Sequence, residues 1–316
     1  LGIAGPPLVE AAFGLKMTPE ELGPAELHEK AGAVDIVVED EAEANQVIRQ
    51  YLSYFRGIEP PGETPDTMSL RDVIPENARR AYDVRKVING FADVGSVLEL
   101  RPNWGRAVVS ALVKVNGHPM GVLGNQPMHL AGAMDTDACD KIARFIQLCD
   151  AYDIPLCYLC DTPGLFVGPE AEKAALVRHS ARILNAACNS TTPFMTITTR
   201  KAYGLGFYMM GSLPVRPDYY CAWPTAEHGA MGFEGAVKIT HKQELEAIED
   251  RKERLDRERE LADKLRAHNT ALEVAARYEY DDVIDPADTR DVIIRFLTSL
   301  PPVIPRSHRK RTVDNW

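Results

Sequence analysis

The residues with the clearest chemical potential lie in RKAYGLGFYMMGS, Arg200 to Ser212. Gly204 and Gly206 bracket Leu205 there. They directly follow PFMTITT, an apolar, β-branched run that predicts a buried strand. Apolar and small residues after the turn predict a buried helix. No lysine–serine pair of a phosphate loop follows, and the turn holds no acid and no nucleophile. What remains is the main chain. Glycine lets a ligand approach the backbone closely, and a helix start presents N–H groups without intrahelical partners at the positive end of its dipole. Such groups suit the stabilisation of a transient oxyanion.

Two more glycine-bearing loops follow predicted strands and lead into helices: GNQPMHLAGAMDT (124–136) and DTPGLFVGPEAEK (161–173). With KAYGLGFY (201–208) they predict a ligand crevice beyond strand ends, the usual place in an open α/β sheet. Better-known motifs fail. GLFVGPEAEK lacks the GK[ST] of a phosphate loop, and a dinucleotide fingerprint would need glycine at 209, which is methionine. No hydrolase nucleophile elbow is present. His129 and His179 are conceivable bases with Asp161 as partner, although a lone histidine beside an apolar helix is more often structural. HEKAG (28–32) has no second histidine at ligand spacing. Cys157 and Cys160 form a CxxC, but IPLCYLCD reads as a strand, where residues three apart face opposite sides. No metal site is expected.

The elements that must position these loops are legible in outline. AVDIVV (33–38) predicts a short strand and EAEANQVIRQYLSYF (41–55) an amphipathic helix. Three prolines in GIEPPGETPDTMS (57–69) predict an exposed linker and a domain boundary. Beyond it, YDVRKVINGF predicts a helix, SVLEL, AVVSALVKVNG and HPMGVLGN three strands, and DTDACDKIARFIQLCDAY a helix capped by Asp135 or Thr136. IPLCYLCD and YYCAWP predict strands, and EAEKAALVRHSARILNAACNS one continuous helix. Alternating strands and helices predict an α/β fold. KQELEAIEDRKERLDRERELADKLRAH (242–268) reads as a charged helical stretch with a solvated face. DVIDPADTRDVIIRFLTSL is a turn and a helix, and the tail PRSHRKRTVDNW is basic.

Composition is ordinary for a soluble protein: 45% hydrophobic and 26% charged residues among 316. The net charge of −10 argues against a general nucleic-acid binder. No run has membrane-span length, and no secretory leader opens the chain. Six cysteines in apolar surroundings suit a reducing cytoplasm, or a mitochondrial matrix in a eukaryote. A start at Leu1 suggests a fragment or a processed chain.

NQPMHLAGAMDTDACDKIARFIQLCDAYDIPL, DTPGLFVGPEAEKAALVRHSARIL, RKAYGLGFYMMGS, AWPTAEHGAMGFEGAV and DDVIDPADTR, in that order and spacing, closely resemble the carboxyltransferase of biotin-dependent acyl-CoA carboxylases, members of the crotonase superfamily. YGLG and the ending RTVDNW look most like long single-chain carboxylases. The resemblance implies a crotonase-like ββα superhelix. Residues 1–56 would be the end of an N domain, 57–74 a linker and 75–316 a complete C domain. It implies biotin on a carrier domain as cofactor, acyl-CoA as substrate, biotin carboxylase and carrier domains as partners, and a homo-oligomer of hexamer type.

The resemblance also implies roles. The backbone N–H groups of Leu205 and Gly206, with Gly204, would bind the ureido oxygen of biotin. Tyr203, Phe207, Tyr208, Gly132, Ala133, Gly164 and Phe166 would border biotin and substrate. Family members often have YGGAY where this chain has Tyr203-Gly204-Leu205-Gly206-Phe207. A leucine there is compatible because the donor is main chain, and its side chain must point away from biotin. Tyr208 falls where short-chain enzymes carry a small or acidic residue, so short-chain specificity is not implied. In such chemistry the cofactor is itself the base, which accounts for the missing acid and base. A decarboxylase subunit and a non-catalytic scaffold subunit are the alternatives.

Overall fold

The computed structural model describes residues 2–77, 80–277 and 279–303. The basic tail at 305–316 lies outside the described residues. The fold is built on one sheet. β1 (Leu98–Leu100), β2 (Val108–Val115) and β3 (His118–Asn125) form an antiparallel meander. β4 (Leu156–Thr162), β5 (Phe194–Tyr203), β6 (Tyr219–Ala222) and β8 (Asp282–Val283) continue it in parallel. β7 (Glu227–Gly229) pairs with the last three residues of β5, off the main strand order.

Both faces of the sheet are covered, which explains why the strands read as continuous apolar runs. In β2, Val108 and Leu112 enter one core, while Val109, Ala111, Val113 and Val115 enter the other. The helices Thr136–Ala151 and Leu176–Asn189 close the first core. The helices Val84–Phe91 and Thr289–Ser299 close the second. Asp135 caps the 136–151 helix by accepting the Ala138 N–H at 2.9 Å. Cys157 lies in the second core and Cys160 in the first, the opposite-face placement predicted for that pair.

Two local expectations are corrected and a third is refined. AVDIVV forms no strand: the Asp35 carbonyl instead accepts the Arg101 N–H at 2.8 Å, and Ile36 packs on the first core. The single helix expected over 170–190 is two, Pro169–Lys173 and Leu176–Asn189, broken at Ala175 with φ 54°. Ala171 and Leu176 both enter the first core. At about 100° per residue an unbroken helix would set them on different faces. The charged stretch is also two helices, Lys242–Glu246 and Arg251–Ala267. Leu261 and Ala262 of the latter are buried against Phe233, Val237 and Tyr203. The segment 57–66 has no regular element, yet it is stitched to the β2–β3 turn: the Glu59 N–H donates to Gly117 at 3.0 Å, and Lys114 pairs with Glu59. Among the described residues no helix is long and apolar enough to cross a membrane.

Candidate active site at the strand ends

The three glycine loops meet beyond the ends of β3, β4 and β5, and they meet backbone to backbone. A Cβ on Gly206 would lie 2.6 Å from the Gly164 Cα. A Cβ on Gly132, whose φ is +86°, would lie 2.4 Å from the Asp161 carbonyl oxygen. Glycine is needed at both because no side chain fits between the two main chains. Thr162 ties the loops further. Its hydroxyl donates to the Gly132 carbonyl at 2.8 Å and accepts the Gly164 N–H at 3.1 Å. The Met134 N–H reaches Gly164 O at 3.2 Å, and the Phe166 N–H reaches Met134 O at 2.9 Å.

Beneath the loops sits a buried ion pair. Arg200 Nε donates to Asp161 Oδ2 at 2.9 Å, with side chains 5% and 1% exposed. Asp161 also accepts the Lys201 N–H at 3.2 Å, and its own N–H donates to Asn125 Oδ1 at 3.1 Å. Asp161 therefore serves the loop scaffold and has no histidine among these partners. His179 is bonded instead to Asp140 at 2.9 Å, on the helices covering the first core. His129 stands at the N-cap of Leu130–Gly132 without a side-chain cap bond.

The main-chain donors sort the predicted residues into two groups. The N–H groups of Gly132 and Ala133 are spent on His129 O and Leu130 O, both at 2.9 Å. Those of Gly164 and Phe166 are spent as described. These four residues shape the crevice and offer no free donor. The helix Gly204–Met209 differs. Its N-cap Tyr203 supplies no side-chain acceptor. Among the described residues, no backbone acceptor outside the helix takes the Leu205 or Gly206 N–H. Position in the first turn denies both an intrahelical partner. Gly204 has φ 60°, a conformation that bends the chain from strand into helix and favours glycine. The Leu205 side chain is half exposed, and Phe166, Val167, Met128 and Tyr208 add exposed apolar surface in and around the loops.

Phe207 packs edge-on against His228, with centroids 4.5 Å apart. Behind the helix a pocket of about 380 Å³ is bounded by Phe207, Tyr208, Leu213, Tyr220, His228 and Tyr280, among others. A pocket of about 410 Å³ lies elsewhere, between the 41–53 helix and β1–β2, and includes no residue of the three loops. Sequence reasoning missed Thr162 as the tie between loops, and Glu227, which accepts the Tyr203 hydroxyl at 2.5 Å. Burial, then the Glu227 carboxylate, push the Tyr203 phenol well above its ordinary value, so it stays a donor. The only signal for Glu227 was its place in AWPTAEHGAMGFEGAV.

Residues 1–302 match the carboxyl transferase domain. The chain belongs to this family. The methylmalonyl-CoA carboxyltransferase 12S subunit of Propionibacterium freudenreichii subsp. shermanii is 35% identical over 297 residues, 91% of this chain and 56% of that protein. A single-chain, multi-domain long-chain acyl-CoA carboxylase superposes with a TM-score of 0.87 at 42% identity, over 93% of this chain and 29% of that one. Transcarboxylase 12S, solved as a hexamer assembly with methylmalonyl-CoA bound, superposes with a TM-score of 0.85 at 33% identity, over 98% of this chain and 62% of that one. This carboxyl transferase domain has the crotonase-like fold of those neighbours, and it spans less than two thirds of each one's length.

Proposed function

We propose that this chain is the biotin-side part of a carboxyltransferase that moves a carboxyl group from carboxybiotin to the α-carbon of an acyl-CoA. The observation that carries the reading is the pair of N–H groups at Leu205 and Gly206, which have no acceptor among the described residues, in a chain of this family. Residues 75–316 are then the C domain, 1–56 the end of an N domain and 57–74 the linker between them. The acyl-CoA is held mainly by an N domain, and the active site lies between the C domain of one subunit and the N domain of another. Biotin carboxylase and biotin carrier domains are the partners, in the cytoplasm or the matrix.

The residues present fit biotin. The two donors lie at a turn held against the Gly164 main chain, and the Leu205 side chain is half exposed instead of filling the turn's interior. When bound, carboxybiotin would supply both the carboxyl group and, after its release, the base for the acyl α-proton. The chain's part is to hold negative charge on the ureido oxygen with preorganised dipoles. Seating Gly206 on Gly164 fixes the turn, so little reorganisation is needed as charge develops. Tyr203, Phe207 and Tyr208 border the ligand, and Gly132, Ala133, Gly164 and Phe166 form the opposing wall.

The test uses the intact protein, methylmalonyl-CoA carrying a labelled carboxyl group, and free biotin as acceptor. Label appearing in carboxybiotin supports the reading. Loss of label from the thioester without any transfer to biotin overturns it.

A further inference from the structure

The turn that carries the two donors cannot hold its own direction. The helix behind it is only six residues long, and an isolated helix of that length is unstable in water. Glycines on both sides of Leu205 add backbone freedom. Gly206 rests on Gly164, and Phe207 and Met209 anchor the helix in the first core, but the direction in which the chain enters the turn is set by Tyr203, the last residue of β5. Yet β5 has lost most of its neighbours there. Its ladder to β6 ends at Thr198 and its ladder to β4 at Ala202, so Tyr203 is paired only with Gly229 of β7.

Tyr203 is held instead by its side chain. Its hydroxyl donates to Glu227 Oε2 at 2.5 Å. The other oxygen of that carboxylate, Oε1, lies 3.0 Å from Arg266 Nε. Arg266 belongs to the charged helix Arg251–Ala267 and is fixed in turn by Glu234 at 3.1 Å and by Asp263. Its guanidinium lies 5.4 Å from the centroid of the Phe233 ring, and Phe233 meets the Tyr203 ring edge-on at 5.5 Å. Tyr203 is thus gripped twice, by a hydrogen bond at its hydroxyl and by a ring at its side. Arg266 braces both.

We propose that Tyr203, Glu227 and Arg266 form a positioning relay that aims the Leu205 and Gly206 N–H groups, and that the charged helix 251–267 is thereby part of the transfer apparatus. The inference rests on the biotin reading given above. Glu227 and Arg266 touch no reacting atom. They act through the N-cap residue, and their substitution loosens the turn while leaving the crevice walls in place.

The test uses the full-length protein and four variants: Tyr203→Phe, Glu227→Gln, Arg266→Met and Arg266→Lys. Two readouts need no turnover. One is hydrogen exchange at the Tyr208–Met210 amides, the other titration with biotin methyl ester. Loss of a hydrogen bond to a charged acceptor should speed that exchange, and weaken that binding, by roughly tenfold or more in Tyr203→Phe. KM for methylmalonyl-CoA should stay within about twofold. The double variant Tyr203→Phe/Glu227→Gln should be no worse than either single one, because both break the same link. Arg266→Lys should restore part of what Arg266→Met loses.

The relay is refuted by folded Tyr203→Phe and Arg266→Met proteins with unchanged exchange and biotin affinity. It is equally refuted by additive losses that fall alike on biotin and on methylmalonyl-CoA, which would mark a general stabilising role. Leu205→Pro separates the two levels. If Leu205→Pro still binds biotin methyl ester normally, the biotin reading itself fails. If Leu205→Pro loses it while Tyr203→Phe does not, only the relay fails.

Discussion

Replacing Leu205 divides what its side chain does from what its backbone does. Leu205 is the second residue of the Gly204–Met209 helix, its N–H has no acceptor outside the helix among the described residues, and its side chain is 50% exposed. Leu205→Ala keeps the donor and removes only half-exposed apolar surface, so at least about a third of the carboxyl-transfer rate should remain. Leu205→Pro removes the donor. Proline suits the first turn of a helix, where no intrahelical bond is lost, and Gly204 before it can adopt the conformations that proline leaves open to its predecessor. One lost oxyanion donor lowers kcat by about 10²–10³, or roughly 2.7–4 kcal/mol. KM for acyl-CoA should change little. The assay is transfer from methylmalonyl-CoA to free biotin with the intact protein, after a melting curve shows that the variant is folded. A folded Leu205→Pro protein that keeps a third or more of the wild-type rate would refute the reasoning.

Gly206→Ala should be far more damaging than Leu205→Ala, since its Cβ would meet the Gly164 main chain at 2.6 Å and two backbones would have to part. Transfer rates of the two variants, compared directly, check this. Asp93 is buried and accepts the Gly62, Asn116 and Gly117 N–H groups and Arg290 Nη2. Burial raises its pKa, but the Gly117 N–H, Arg290 and the other donors outweigh that and hold it below the ordinary carboxylate value. A carboxyl whose folded pKa is depressed stabilises the fold above its unfolded pKa of about 3.9 and loses that contribution as pH falls through the folded value. Asp93→Asn should therefore cost about 3–5 kcal/mol at neutral pH, with the gap to wild type closing below about pH 4 in denaturant titrations. Light scattering of the intact protein should report an oligomer of hexamer size, whereas a fully active monomer would contradict an active site shared between subunits.

Much of this molecule was legible because its signals are local. The PFMTITT strand, the glycine turn after it, the Asp135 cap and the split of Cys157 and Cys160 between cores all follow from period and residue type over a few neighbours. What was not legible depends on partners distant in sequence. AVDIVV has strand-forming residues, but its Asp35 carbonyl accepts a single N–H, that of Arg101 just past β1, and forms no ladder. Ala175 breaks a helix whose sequence gives no reason to stop, so that Ala171 and Leu176 reach one core. The glycines at 132, 164 and 206 were read as turn formers with open donors. Only the fold shows that they are chiefly points where loops touch, with most of the donors consumed. Arg266 was read as one more charge on a solvated face, because nothing near it in the sequence points to Glu227.

The central claim is that the main chain at Leu205 and Gly206 receives the ureido oxygen of biotin. A crystal structure of the intact protein with biotin bound tests it most directly. The account predicts the ureido oxygen at about 2.7–3.1 Å from both nitrogens, with the Leu205 side chain turned away. Biotin seated elsewhere, or in the crevice with its ureido oxygen facing away from the 204–206 turn, would contradict it.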